Sequence, residues 1–281
     1  MDNSIAKLKE AIKNKKVLLF VGSGISCSVG LPSWNQLIAK LADKLGIDKD
    51  LYEMLGDSLS LAEYYEICQK ELHPTAIPAE LICEYIKEEE AKETNNITSA
   101  SVLKQIVGLD CPIIYTTNYD HCLERAYAEQ KKPYKAICDV KDMALVHEGD
   151  TQIIKLHGDY DHPQNIVFSE SSYFDRMDFD SPLDIKLRAD MLGRSILFIG
   201  YSLSDVNIRL LTYKLDKLWK KNEALYGTSK EERPDSYIFM AKPNYIQEKI
   251  FKNRNIISIV GNSIDRDKSI ANFLDSISPK I

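Results

Sequence analysis

The sequence lacks the features that mark several whole classes of protein. No stretch of its 281 residues approaches the ~20 consecutive apolar residues of a membrane-spanning helix. The N-terminus, Met1–Lys16, is mixed-charge and amphipathic and has no continuous apolar core of the kind a secretory signal carries. The expectation is a cytoplasmic protein with no membrane association. Positive charge is not in excess: 36 Lys and Arg stand against 42 Asp and Glu, for a formal net charge of −6. That balance argues against direct nucleic-acid binding, which draws on a basic surface. With only 12 glycines and 10 prolines the chain is neither collagen-like nor of low complexity. The six cysteines, at 27, 68, 83, 111, 122 and 138, include no CxxC pair and lie in apolar or helical surroundings. They read as buried free thiols rather than as disulfides or a zinc site.

What the sequence does have is a rhythm of short apolar runs. Lys16–Val21 (KVLLFV) ends at a glycine loop and reads as a buried parallel strand. Similar runs follow at Pro112–Tyr115, Gln152–Leu156, Ser195–Ile199, Tyr237–Met240 and Ile256–Val260. Between them, Asp120–Gln130, Asp205–Lys220, Tyr245–Asn253 and Asp267–Ile277 carry apolar residues at three- and four-residue spacing, the period of amphipathic helices. The alternation predicts an α/β fold: a Rossmann-like, mostly parallel six-stranded sheet with helices on both faces. One stretch breaks the rhythm. From Trp34 to Gly108 only helical pattern is present, which predicts a helical subdomain, residues 34–108, inserted into a single domain spanning 1–281. Its Tyr64, Tyr65 and Tyr85 are expected to pack rather than to do chemistry.

In open α/β sheets ligands bind beyond the C-terminal strand ends, so the residues that follow each strand are the informative ones. Gly22-Ser23-Gly24-Ile25-Ser26 follows the first, Thr116-Thr117-Asn118-Tyr119-Asp120 the second, His157-Gly158-Asp159 the third and Gly200-Tyr201-Ser202 the fourth. Gly22 and Gly24 bare the backbone at a strand-to-loop transition. Their amides could approach a pyrophosphate, or the pair could simply form a tight turn. The dehydrogenase fingerprint GxGxxG is broken, because its third glycine is Cys27 and Asp43 falls inside a helical pattern rather than at a strand end. Asn118 can hold a ribose hydroxyl or orient a water, or it can cap the helix that follows. If Asp120 takes the capping role, Asn118 is left available. His157, at a strand end before a glycine, suits proton transfer from a hydroxyl. His73, His121, His147 and His162 lack such a setting. Ser204 or Asp205 is expected to cap the helix after the fourth strand.

In this order, GSGIS with the following GLPSW, then TTNYD, HG and GYS, the motifs resemble those of sirtuin-like domains, most closely the bacterial branch found in NAD-depleting antiphage defence proteins. The resemblance runs from about Val17 to Ile277. It implies that Gly22, Ser23, Gly24 and Ser26 line the NAD pyrophosphate loop and that Gly200 and Ser202 form a later NAD-contacting loop. It further implies that Asn118 orients the attacking group near the nicotinamide ribose and that His157 is the general base, with Asp120 in a supporting role. Protein-deacylating sirtuins carry a four-cysteine zinc module between the HG and GxS motifs, whereas Asp159–Arg194 contains no cysteine. The asparagine motif is also TTNYD rather than the QNID form of deacylases. The resemblance therefore implies an NAD+ glycohydrolase without zinc or any other cofactor, in which NAD+ is consumed. A protein-lysine deacylase and a nucleotide-sensing module without turnover are the alternatives. An enzyme that destroys NAD freely would poison its own cell, so control is expected to come from assembly: a homo-oligomer that docks on a second protein through the aromatic- and aliphatic-rich helical segment 34–108. By resemblance to single-domain defence members, that second protein is a ring-forming HerA-type DNA translocase ATPase.

Overall fold

The computed structural model describes residues 2–177, 180–201, 206–227, 233–261 and 263–279. Among them, seven strands pair into one wholly parallel sheet. These are β1 (Val17–Val21), β2 (Ile113–Thr116), β3 (Tyr134–Ile137), β4 (Thr151–Lys155), β5 (Ser195–Ile199), β6 (Ser236–Met240) and β7 (Ile256–Val260). Their order is β3-β4-β2-β1-β5-β6-β7. The six expected strands are all present. The seventh, β3, is a four-residue edge strand in which three of the four side chains are only partly buried. It follows Pro133, and Lys131 just before it takes a left-handed φ of 53°. So short and half-wet a strand has neither the apolar run nor the alternation that marks the others.

The buried strands are apolar on both sides because both sheet faces are covered. Val17, Leu19 and Val21 of β1 join a core with the helices α1 (Asp2–Lys13) and, later in the chain, Ser101–Gly108, Cys122–Glu129 and Arg266–Ile277. Leu18 and Phe20 point the other way, into a core with Pro182–Leu192 and Val206–Tyr226. Phe20 stacks between Tyr115 of β2 and Phe198 of β5, at centroid distances of 5.7 and 5.3 Å.

No strand interrupts residues 22–108. After the one-turn helix α2 (Ser23–Cys27) come α3 (Trp34–Leu45), α4 (Lys49–Met54), α5 (Ser58–Leu72), α6 (Glu80–Lys92), α7 (Thr94–Ser99) and α8 (Ser101–Gly108). The starts of α4 and α5 are fixed by Asp48 and Asp57, whose carboxylates accept backbone N–H bonds from Leu51 and from Leu59 and Ser60. A third core gathers Leu37, Leu41, Tyr52, Tyr65, Ile82 and Ile86 from this segment with Tyr119, Tyr160, Ile166 and Phe168 from the loops after β2 and β4. The insertion is thus packed onto the strand ends. Tyr65 is fully buried as expected, whereas Tyr64 is half exposed.

Candidate active site

The strand ends of β1, β2, β4 and β5 open into one cavity of about 920 Å³. It lies beside β1, where the strand order reverses: β2, β4 and β3 lie on one side, and the chain crosses back from β4 to place β5, β6 and β7 on the other, the position at which open α/β sheets bind ligands. Of the residues singled out in the sequence, Ser23, Gly24, Ser26, Asn118, Asp120, His157 and Gly200 all line it. Gly22, expected to line the same loop, is not a lining residue. Ser202, with Ser204 and Asp205, lies outside the described residues. The helical insertion closes one side through Trp34, Leu37, Leu59 and Ile86. Tyr173 and Phe174 of α11 (Glu170–Asp175, with α9 Cys122–Glu129 and α10 Val140–Met143 preceding it) close another.

Asn118 is held by its surroundings and not used up by them. Thr116 Oγ1 donates to the Val21 carbonyl at 2.8 Å and accepts from the Asn118 N–H at 3.0 Å, tying the start of this loop to the end of β1. The Asn118 amide Nδ2 donates to Ser26 Oγ at 2.9 Å. Its Oδ1 is buried and accepts no hydrogen bond from the protein. An unmet buried acceptor is costly, and a bound hydroxyl or water would satisfy it. His121 is the N-cap residue of α9, and Asp120 just before it accepts the Cys122 N–H through Oδ1 at 3.1 Å. Asn118 is not the cap.

His157 is only 2% exposed. Its Nδ1 lies 3.3 Å from the Tyr173 hydroxyl, and the two rings meet edge to face. Burial first, and then the Arg176 guanidinium, push its pKa well below the ordinary 6.5, so the ring is neutral at physiological pH. Arg176 is fixed nearby, donating to the Leu156 carbonyl and pairing with Asp184. Gly158 turns the chain at φ 90°, and a Cβ there would meet the Asn165 carbonyl at 2.5 Å.

Beneath both residues lies a buried charge network that the sequence reading did not single out. Lys155, the last residue of β4, has a fully buried side chain. Its Nζ donates to the backbone carbonyls of Tyr119 at 3.2 Å and Asp120 at 2.7 Å, and pairs with Asp159 at 2.6 Å and Glu124 at 3.2 Å. One ammonium therefore joins the loop bearing Asn118 to the loop bearing His157. Burial alone would lower its pKa, but Glu124 and Asp159 hold it above its usual range. Burial would likewise raise Asp159, yet the His121 bond and the Lys155 charge hold its carboxyl well below the carboxylate range. His121, expected to be a bystander, belongs to this network. Among the described residues, His121, Asp159 and Asp161 are the one group with metal-ligand spacing. Lys155 on Asp159 and Lys87 on Asp161, at 2.6 and 2.8 Å, already supply cations there. A lysine in a strand buried on both faces is the signal that could have revealed this network, because such a charge must be paired.

The glycines bring two loops together. Gly22 N–H donates to the Ile199 carbonyl and Gly24 N–H to the Gly200 carbonyl, both at 2.9 Å. A Cβ on Gly22 would stand 2.6 Å from the Gly200 oxygen and 2.7 Å from the Tyr201 ring. Gly22→Ala is expected to cost about 1–3 kcal/mol through this clash. Gly108→Ala, where a Cβ meets nothing within 4 Å, is the neutral control. Thermal melting of the two variants checks this, and equal melting temperatures would contradict it.

A wholly parallel sheet of this order, with an asparagine and a histidine from two neighbouring strand ends in one cavity, defines a Rossmann-like α/β domain. The profile of the SIR2-like domain family matches residues 112–259, just over half of the chain, and the protein belongs to that family. It is 25% identical over 236 residues to NAD(+) hydrolase ThsA of Bacillus cereus, covering 82% of this chain and 47% of that protein. To NAD(+) hydrolase ThsA of Enterococcus faecium it is 27% identical over 290 residues, covering 98% and 58%. Defense-associated sirtuin 2 of Bacillus subtilis is 26% identical over 229 residues, covering 78% and 22%. The chain spans about half the length, or less, of these curated relatives.

Proposed function

We propose that the protein is an NAD+ glycohydrolase of antiphage defence. The observation that carries this reading is the shared cavity, in which Asn118 presents an unused acceptor and His157 a neutral imidazole. The relatives named NAD(+) hydrolase supply the substrate. In the reaction the bond from the ribose C1 to the nicotinamide nitrogen breaks. Its electron pair neutralises the pyridinium, so nicotinamide leaves as a neutral molecule. Water adds to the oxocarbenium-like ribose to give ADP-ribose, and one proton is released. Asn118 Oδ1 positions the water or a ribose hydroxyl, His157 accepts the proton, and Asp120 supports the loop. The direct test is nicotinamide release from NAD+ in the absence of any acylated peptide. Release that requires an acyl-lysine peptide would mean a deacylase, and NAD+ binding without release a sensor.

The pH dependence has a definite sign. The base must be neutral, and in the folded protein its pKa lies below 6.5. Turnover is therefore expected to stay level as pH falls from about 8 to 6.5, with the acid limb below that. A profile that already falls by half at pH 7 would contradict the assignment of His157.

No metal step is needed in this reading. The cysteines are distributed among separate cores and loops, with Cys83 in the insertion and Cys111 and Cys122 against the sheet. Chelation is expected to leave activity and melting temperature unchanged, and stoichiometric zinc in the purified protein would overturn this. No helix among the described residues is long and apolar enough to cross a membrane. We further propose a cytoplasmic homo-oligomer controlled by docking on a HerA-type ATPase. In support, Leu51 and Met54 of α4, Leu55 just after it, and Tyr64, Ile67 and Leu72 of α5 leave large apolar side chains exposed. A strictly monomeric chain with full activity on its own would refute control by assembly.

A further inference from the structure

A dinucleotide brings a diphosphate into the cavity, and the amides of both glycines in the loop after β1 are already engaged. The Gly22 and Gly24 amides are spent on the carbonyls of Ile199 and Gly200, and the Ile25 amide donates to the Gly22 carbonyl at 3.0 Å. Three acids, Asp57, Asp120 and Glu170, line the walls. Among the described lining residues there is one Lys or Arg: Arg266. It is the first residue of the last helix, Arg266–Ile277, which starts on an Asp265 cap. The side chain reaches across to the loop after β1, where Nη2 donates to the Gly24 carbonyl. That bond holds the planar guanidinium at the glycine loop. One N–H of its five is used there, another meets the Cys27 thiol, and the side chain is still 46% exposed. Asp267, the neighbouring acid, is 3.9 Å from Nε and does not form a close pair with it.

We propose that Arg266 is the diphosphate-binding residue of this cavity. Resting on the NAD+ reading above, it sets the direction in which the substrate lies, with the diphosphate on the guanidinium beside Gly24 and the nicotinamide ribose extending toward Asn118 and His157. Charge-assisted bonds from an arginine fork to phosphate oxygens are strong and directional. The glycines then serve to bring the Arg266-bearing and Gly200-bearing loops close, rather than to cradle phosphate with their own amides.

The test is calorimetric binding of two probes to the full chain: ADP-ribose, which has the diphosphate, and nicotinamide riboside, which has none. Arg266→Gln, which keeps a polar side chain and removes the charge and the fork, is expected to weaken ADP-ribose by about 10- to 100-fold. Nicotinamide riboside should bind within about twofold of the parent value, and Arg266→Lys should fall between the parent and Arg266→Gln for ADP-ribose. Equal weakening of both probes would reveal a structural role and overturn the proposal, as would unchanged ADP-ribose affinity. The latter result would leave the NAD+ reading standing. A parent protein that binds neither probe would overturn both. If Arg266→Gln does not fold, the parent protein still decides: ADP-ribose affinity should fall several-fold between about 0.05 and 0.5 M NaCl. Affinity independent of salt would count against the arginine–phosphate contact.

Discussion

Replacing either Asn118 or His157 by alanine is expected to lower NAD+ cleavage by about 10²- to 10⁴-fold, with little change in melting temperature. The two losses have different origins. Asn118→Ala removes the buried Oδ1 that has no partner in the protein, and with it the group that fixes the nucleophile or ribose. It also frees Ser26 Oγ, a small structural loss. His157→Ala removes the proton acceptor and opens space beside Tyr173. Because both groups serve one step, the double variant should be barely slower than the worse single variant. Near-normal turnover in both single variants, with unchanged folding, would remove the site from this cavity. Initial rates of nicotinamide release measure all three.

Lys155→Met is expected to be the most destabilising single change in the neighbourhood of the site, at about 3–5 kcal/mol. Methionine fills much the same volume, so the cost is electrostatic. Asp159 and Glu124 would keep their burial and lose the ammonium 2.6 and 3.2 Å away. The Tyr119 and Asp120 carbonyls would lose a donor as well. Since these carbonyls flank the Asn118 loop, and Asp159 lies two residues after His157, cleavage should fall even at temperatures where the variant remains folded. Lys70→Met provides the contrast. It breaks an exposed pair with Glu66 on α5, and such pairs contribute little. Denaturant unfolding of the two variants checks the ordering, and equal stability would contradict the role given to the network.

The parts of the fold that were legible in the sequence are those written in local pattern. Six strands were readable because burial on both faces demands continuous apolar runs such as VLLFV and SILFI. The all-helical run between β1 and β2 was readable because no such apolar run occurs between Trp34 and Gly108. β3 was not legible, since an edge strand of four half-buried residues has little apolar content to show. For the site, the strand-end rule and the motif order brought Gly24, Ser26, Asn118, His157 and Gly200 to one cavity. The glycines were legible as a close approach, but not the partner they approach. Gly22 and Gly24 meet Gly200, which is more than 170 residues away in the chain. The residues that tune the site depend on such distant contacts. Glu90 of the insertion accepts the His121 N–H at 2.9 Å and pairs with Arg125. Arg176 and Tyr173 reach His157 from a separate helix and the turn after it, and Arg266 arrives from the last helix. No spacing in the sequence encodes any of these.

The most direct test of the central claim is to titrate NAD+ into the parent protein and into Asn118→Ala and to recover the nucleotide from each. The expected result is that both bind with similar affinity, that the variant returns intact NAD+, and that the parent returns equal amounts of nicotinamide and ADP-ribose. Intact NAD+ from the parent in the presence of its assembled partners, or normal cleavage by Asn118→Ala, would contradict it.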